Sequence, residues 1–255
     1  MEYEILHRKT KGKSQIIALI DSGISVFQKT KVDVSYNMVN NLNSFDENGH
    51  GTMMCSLILG TDNLLGIAPQ AKVYSYKVVD ESGKVEPEIL SEAIDKAIQD
   101  DVTIINISLG SYFDNEKIKK SINNAIKSGI IVVASSGDYE TEDMLYPAKY
   151  EGCISVGAID NKLNVWEGTN AIEQCDILAP GVNVNTMLDT GDLAPTTGTS
   201  QSTALISGYI ALIKDYGLNC GIDLNVEQVK EILKYINDNK MTYSEGLNAV
   251  KEYVK

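Results

Sequence analysis

The chain has 255 residues, 43% of them hydrophobic, enough for one large α/β domain with a substantial core. A formal charge of −13 argues against nucleic acid, whose phosphates demand a basic face, and is compatible with cationic peptide partners. No apolar run approaches a membrane span, and the polar stretch from Met1 to Lys13 has no signal-peptide core, which points to a cytoplasmic protein.

Residues 1–14 read as an N-terminal extension ahead of a single domain over 15–255, since no linker, repeat or low-complexity segment follows. Gly12-Lys13-Ser14 is like the tail of a P-loop, but His7 stands where that motif needs glycine. Gln15 to Ile20 is an apolar run ending at Asp21-Ser22-Gly23, the pattern of a buried parallel strand that presents a carboxylate at its C-terminal end. After a polar loop, Asn37 to Glu47, the segment Asn48 to Gly60 predicts a helix entered through glycines, with His50 in its first turn.

Strand and helix then alternate. Val73–Val79, Val102–Leu109 and Ile130–Ala134 read as strands; Glu88–Gln99 and Asn115–Lys127 carry helical periodicity. The economical architecture is α/β, three layers with a mostly parallel central sheet and helices on both faces. Beyond Pro147 the expected strands are shorter: Ile154–Ile159, Cys175–Leu178 and Val182–Met187, with Ala179-Pro180-Gly181 as a turn. Val226 to Ile236 is an amphipathic helix.

Four dispersed cysteines (Cys55, Cys153, Cys175, Cys220) show no metal-type spacing and read as free thiols in a reducing compartment. The presence of only His7 and His50 argues against a His-based zinc site.

Thr197 to Ile213 begins as a small, polar turn and becomes apolar nearly all round, the pattern of a buried helix. Ser200 at its start has two readings. One is a helix N-cap, the usual task of serine there; the other is a nucleophile beside unpaired backbone N–H groups.

Asp21, His50 and Ser200 stand at three element ends, in the order Asp, His, Ser. Ile20-Asp21-Ser22-Gly23, Gly49-His50-Gly51-Thr52 and Gly198-Thr199-Ser200 resemble the three motifs of the subtilisin-like serine peptidases. Gly66-Ile67-Ala68-Pro69, Asn106 to Gly110, Tyr146 to Tyr150, Ser155 to Ala158 and Leu178 to Gly181 match in order. Tyr243 to Asn248 resembles that family's C-terminal Gly-rich turn, so the resemblance covers roughly residues 15 to 250.

The resemblance implies acyl transfer. Ser200 would attack a peptide carbonyl, His50 would accept and return the proton, and Asp21 would orient His50. Ser200 N–H would face the developing oxyanion. Ser108-Leu109-Gly110 would pair with substrate as an added strand, and Ala134, Ser135, Ser136 and Gly137 would line the pocket for the residue before the scissile bond. Calcium is common in the family, but no ligand set can be placed here, and no other cofactor is implied.

Three departures stand out. Where the family carries an oxyanion-donating asparagine, this chain has Asp138. A carboxylate about 4 Å from an oxyanion repels it by about 4 kcal/mol at an effective dielectric of 20. Asp138 is then a protonated donor, or swung away while Ser200 N–H, a water or Ser136 serves, or the mark of a weak enzyme. Some proprotein convertases, similar in fold, carry aspartate here and remain active, which favours an active enzyme. After the nucleophile stand Gln201, Ser202 and, at the family's proline position, Ala204, a good helix former. No signal or inhibitory prosegment is visible ahead of Asp21.

Acidic residues crowd the expected cleft: Asp46, Glu47, Asp114, Glu116, Glu140, Glu142 and Asp143. They are either a solvated rim or a preference for substrates with basic residues near the cut. The expected function is a serine endopeptidase acting on peptides or flexible protein segments. The alternative is a catalytically impaired peptide-binding protein on the same scaffold.

Overall fold

The computed structural model describes residues 2–40, 43–238 and 242–250. In chain order its elements are α1 (Glu2–Lys9), β1 (Ile16–Asp21), β2 (Val34–Asn37), α2 (His50–Leu59), β3 (Lys72–Lys77), α3 (Pro87–Gln99), β4 (Ile104–Ile107), α4 (Glu116–Lys127) and β5 (Ile131–Ser135). Then follow β6 (Ile154–Ile159), β7 (Ile177–Pro180), β8 (Val184–Met187), β9 (Leu193–Thr196), α5 (Thr199–Asn219), α6 (Val226–Asp238) and α7 (Tyr243–Ala249).

The apolar run of β1 can bury both faces only inside a parallel sheet, and that is its place. Seven strands form one sheet in the order β2-β3-β1-β4-β5-β6-β7, every neighbouring pair parallel. Alternation along the strands divides the core. Ile17, Leu19, Ile104, Ile131 and Val133 face α2 and α5, while Ala18, Ile20, Ile105, Ile107 and Val132 face α3 and α4. β8 and β9 form a separate antiparallel hairpin.

α3 begins on Pro87, whose fixed φ suits a first helical turn, and the Asn115 side chain caps α4 by accepting from Lys117 and Ile118 N–H. α5 is buried almost all round, as its composition predicts, because it runs between the sheet and α2. Among the described residues no helix is long and apolar enough to cross a membrane.

Three local readings change. Ala179 and Pro180 end β7 rather than forming a turn, with Pro180 at the free edge of the sheet. Tyr243–Ala249 is a helix, not a turn: Thr242 and Glu245 close a capping box at its start. The segment 1–14 contains α1, whose Leu6 is fully buried in the core and whose His7 ring nitrogen lies 3.0 Å from the Ile67 carbonyl. All four cysteines are free, and burial pushes the Cys55 and Cys153 thiols up to about 12, where they behave as small hydrophobes.

Candidate active site

A parallel sheet brings the C-terminal ends of its strands to one edge, where ligands of open α/β sheets bind. Asp21 ends β1, Ser108 follows β4, and Ser135 and Ser136 close β5. The N-termini of α2 and α5 bring His50 and Ser200 to the same edge.

Asp21 is 1% exposed, and its Oδ1 accepts from Ser22 N–H at 2.8 Å. Its two oxygens lie 2.8 and 3.0 Å from His50 Nδ1, so Nδ1 carries the proton and Nε2 is left for a partner. α2 comes this close because of Gly51: a Cβ there would sit 2.3 Å from the Gly23 carbonyl oxygen. Burial pulls the His50 pKa down, but the charge and hydrogen bond of Asp21, with the charges of Asp46 and Asp138, carry it above its ordinary value.

Asp46 is the residue that sequence reasoning placed wrongly among surface acids. It is only 9% exposed and accepts from Ser22 Oγ, from the backbone N–H of Asn48, Gly49 and Thr52, and from the Thr52 hydroxyl. A carboxylate so placed satisfies orphan donors at the α2 N-terminus and ties that helix to the turn after Asp21. Glu47 is also engaged, 2.6 Å from the buried Lys77 ammonium. The one available signal was spacing: Asp46 precedes His50 by four residues, within reach of the first-turn N–H groups.

Ser200 is not a cap. Gly198 holds the cap position, and Ser200 is the second residue of α5, with its N–H among those that have no acceptor inside the helix. Its Oγ donates to the Ser108 carbonyl at 3.3 Å rather than to His50. Behind it a buried polar chain joins α5 to β4: Ser207 Oγ donates to Asn106 Oδ1 at 2.8 Å, and Asn106 Nδ2 donates to Ser108 Oγ at 3.1 Å.

Asp138 lies across the α5 N-terminus. Its Oδ1 accepts from Thr199 N–H at 2.8 Å and from Thr199 Oγ1 at 2.6 Å, one residue before the serine. Since its charge also acts on His50, Asp138 joins the two halves of the site. Ser136 Oγ is fully buried, with the Cys175 thiol as its polar neighbour.

Of the segments expected to bind substrate, Leu109 and Gly110 are accessible, and among the described residues no backbone hydrogen bond uses either. Their free N–H and C=O groups suit an added strand. Ala134, Ser135, Ser136 and Gly137 run alongside but are buried. Among the described residues no three His, Cys, Asp or Glu side chains converge as a metal site.

The Subtilase family model matches residues 12–246. The chain belongs to this family. Subtilases of this kind are serine endopeptidases, and so is this one. The chain is 31% identical over 233 residues to the major intracellular serine protease of Bacillus subtilis (strain 168), covering 84% of this chain and 72% of that one. It is 31% identical over 212 residues to subtilisin Savinase of Lederbergia lenta, covering 82% and 79% of the two chains. The minor extracellular protease Epr of Bacillus subtilis (strain 168) is 32% identical, and there the match spans 89% of this chain but 36% of the relative. Two solved structures share the fold of this subtilase. They are the protease domain of PatA (TM-score 0.84, 20% identity, 96% and 98% of the chains) and the prenylagaramide maturation protease PagA (0.81, 24%, 99% and 98%).

Proposed function

We propose that this subtilase cleaves peptides or flexible protein segments through an acyl-enzyme formed on Ser200, with His50 as general base and acid and Asp21 as its orienting partner. The observation that carries this is the pair of contacts from Asp21 to His50 Nδ1, at 2.8 and 3.0 Å, which leaves Nε2 as the nitrogen that can accept a proton. Ser200 Oγ turns from the Ser108 carbonyl toward Nε2 when substrate binds, since catalytic hydrogen bonds often tighten only in the complex. It then attacks the scissile carbonyl while His50 takes its proton; His50 returns that proton to the leaving amine, and water hydrolyses the ester. Ser200 N–H donates to the oxyanion, with the α5 dipole behind it. Substrate backbone pairs with Leu109 and Gly110.

Labelling with a fluorophosphonate tests this. Wild type forms a stable adduct at Ser200 and hydrolyses casein or a peptide library; Ser200→Ala does neither. Absence of label on folded wild type overturns the reading.

A second reading is a peptide-binding protein with impaired chemistry. Two observations favour it: Ser200 Oγ donates away from His50, and a carboxylate stands where the family has an amide donor. Peptide binding without labelling or turnover is its signature. The intracellular relative and the four free cysteines support assigning the protein to a reducing compartment.

A further inference from the structure

We propose that Leu145 sets the cleavage specificity of this subtilase by filling the slot for the side chain before the scissile bond, so that the enzyme cuts after glycine and alanine. The inference rests on the reading above together with the lining expected from the resemblance, which set the slot between the backbone at Leu109 and Gly110 and that at Ser136 and Gly137.

Both walls carry glycine at the slot, and one side chain stands against both. A Cβ built on Gly110 would lie 2.8 Å from Leu145 Cβ and Cδ1; one built on Gly137 would lie 2.8 Å from Leu145 Cγ and 2.9 Å from Cδ1. The same methyl group therefore packs on the two opposed glycines. Leu145 is 5% exposed, so its side chain is held inside the slot rather than in solvent.

The plug is anchored by its backbone. Leu145 N–H donates to the Ser136 carbonyl at 3.0 Å on one wall, while Tyr146 and Ser111 exchange hydrogen bonds of 2.8 and 3.0 Å on the other. Moving Leu145 aside breaks the links that hold the walls at their spacing. The outer side is bridged as well. The Tyr112 hydroxyl lies 3.3 Å from Thr141 Oγ1 and 3.4 Å from Asn170 Nδ2, and its ring meets that of Tyr139 at 5.9 Å. Close-packed interiors do not yield room for an isobutyl or benzyl group beside a leucine already in place. Hydrogen or a single methyl needs no such displacement.

The test is a peptide library varied at the residue before the cut, digested by the full chain and read by mass spectrometry, with fluorophosphonate labelling run in parallel. Wild type is expected to cleave after Gly and Ala. Leu145→Gly is expected to raise the kcat/KM ratio for Phe over Ala by about 100-fold or more, since each methylene in a fitted pocket is worth about 10–200-fold. Labelled wild type that cleaves after Leu or Phe as readily as after Ala overturns the proposal, whether or not the variant folds. A folded Leu145→Gly variant that keeps the wild-type profile does the same. Failure to label wild type overturns the nucleophile assignment itself, and this inference with it.

Discussion

Thr199 donates twice to Asp138, from its backbone at 2.8 Å and its hydroxyl at 2.6 Å, and both bonds fall on Oδ1. Oδ2, which takes neither bond, would lie 2.7 Å from a Cβ on Gly198, so only a hydrogen at that position leaves the carboxyl its place. Either protonation state keeps the two bonds to Oδ1; a proton on Oδ2 is what would turn this side into a donor. Asp138→Asn keeps an acceptor for Thr199 and supplies an N–H₂ in every state. It is expected to raise turnover at neutral pH, by up to the 10²–10³-fold or so that one oxyanion donor is worth in subtilisin. Turnover at neutral pH unchanged by the substitution shows that the side chain at 138 does not serve the oxyanion.

His50 must be neutral to accept a proton, and the charges around it raise its pKa above 6.5 against the pull of burial. Activity is therefore expected to rise with pH, with its acid limb centred above 6.5. Asp46→Asn or Asp138→Asn removes one of the raising charges and moves that limb to lower pH. The same shift bears on folding. Its stabilising contribution is complete below about 6.5 and disappears as pH rises through the higher native value. Urea titrations of wild type and His50→Gln across that window should converge as pH rises; a gap that widens contradicts the sign.

Asp46→Ala strips the acceptor from four donors at the start of α2 and from the Ser22 hydroxyl, and four of these five donors are on buried residues. The expected loss is about 2–4 kcal/mol, the scale of a helix cap plus unpaired buried donors. For a chain of this size that lowers Tm by about 5–15 °C. Turnover should fall more than affinity, because His50 loses its registry with Asp21 while the Leu109 and Gly110 edge is untouched. An unchanged kcat in the folded variant would show that the helix needs no such anchor.

Glu140 and Glu142 are exposed and have no ion-pair partner among the described residues, whereas Glu47 and Asp143 are paired with lysines and Asp46 is buried on hydrogen-bond donors. They are the acids left to meet a cationic substrate. Peptides with Lys or Arg within a few residues of the cut are expected to be cleaved about 2–5-fold better, the worth of exposed charge pairs, with the advantage lost at high salt and in a Glu140→Gln, Glu142→Gln double variant. Indifference to Lys and Arg in the library leaves this face as a solvated rim.

Much of the fold was legible because its signals are local. Buried parallel strands require unbroken apolar runs, so β1, β4, β5 and β6 stand out, and α3 and α4 declare themselves by period and cap. The elements that escaped are those with weak local signals. β2 is short and only partly buried at the sheet edge, β9 contains Pro195, and α1 buries Leu6 fully with Tyr3 only partly covered against the core.

The sequence by itself determined the family and the parallel α/β architecture, and it singled out Asp21, His50 and Ser200 as candidates, because each lies in a short motif where a glycine turn meets an element end. Tertiary structure alone decided what surrounds them. Asp46 became a buried anchor, Ser200 yielded the cap position to Gly198, and Leu145 came to rest on Gly110 and Gly137. The last of these contacts joins residues 35 apart on one side of the slot, and such pairings leave no trace in local periodicity. They arise only when the sheet sets its strand ends side by side and side chains fill the space between.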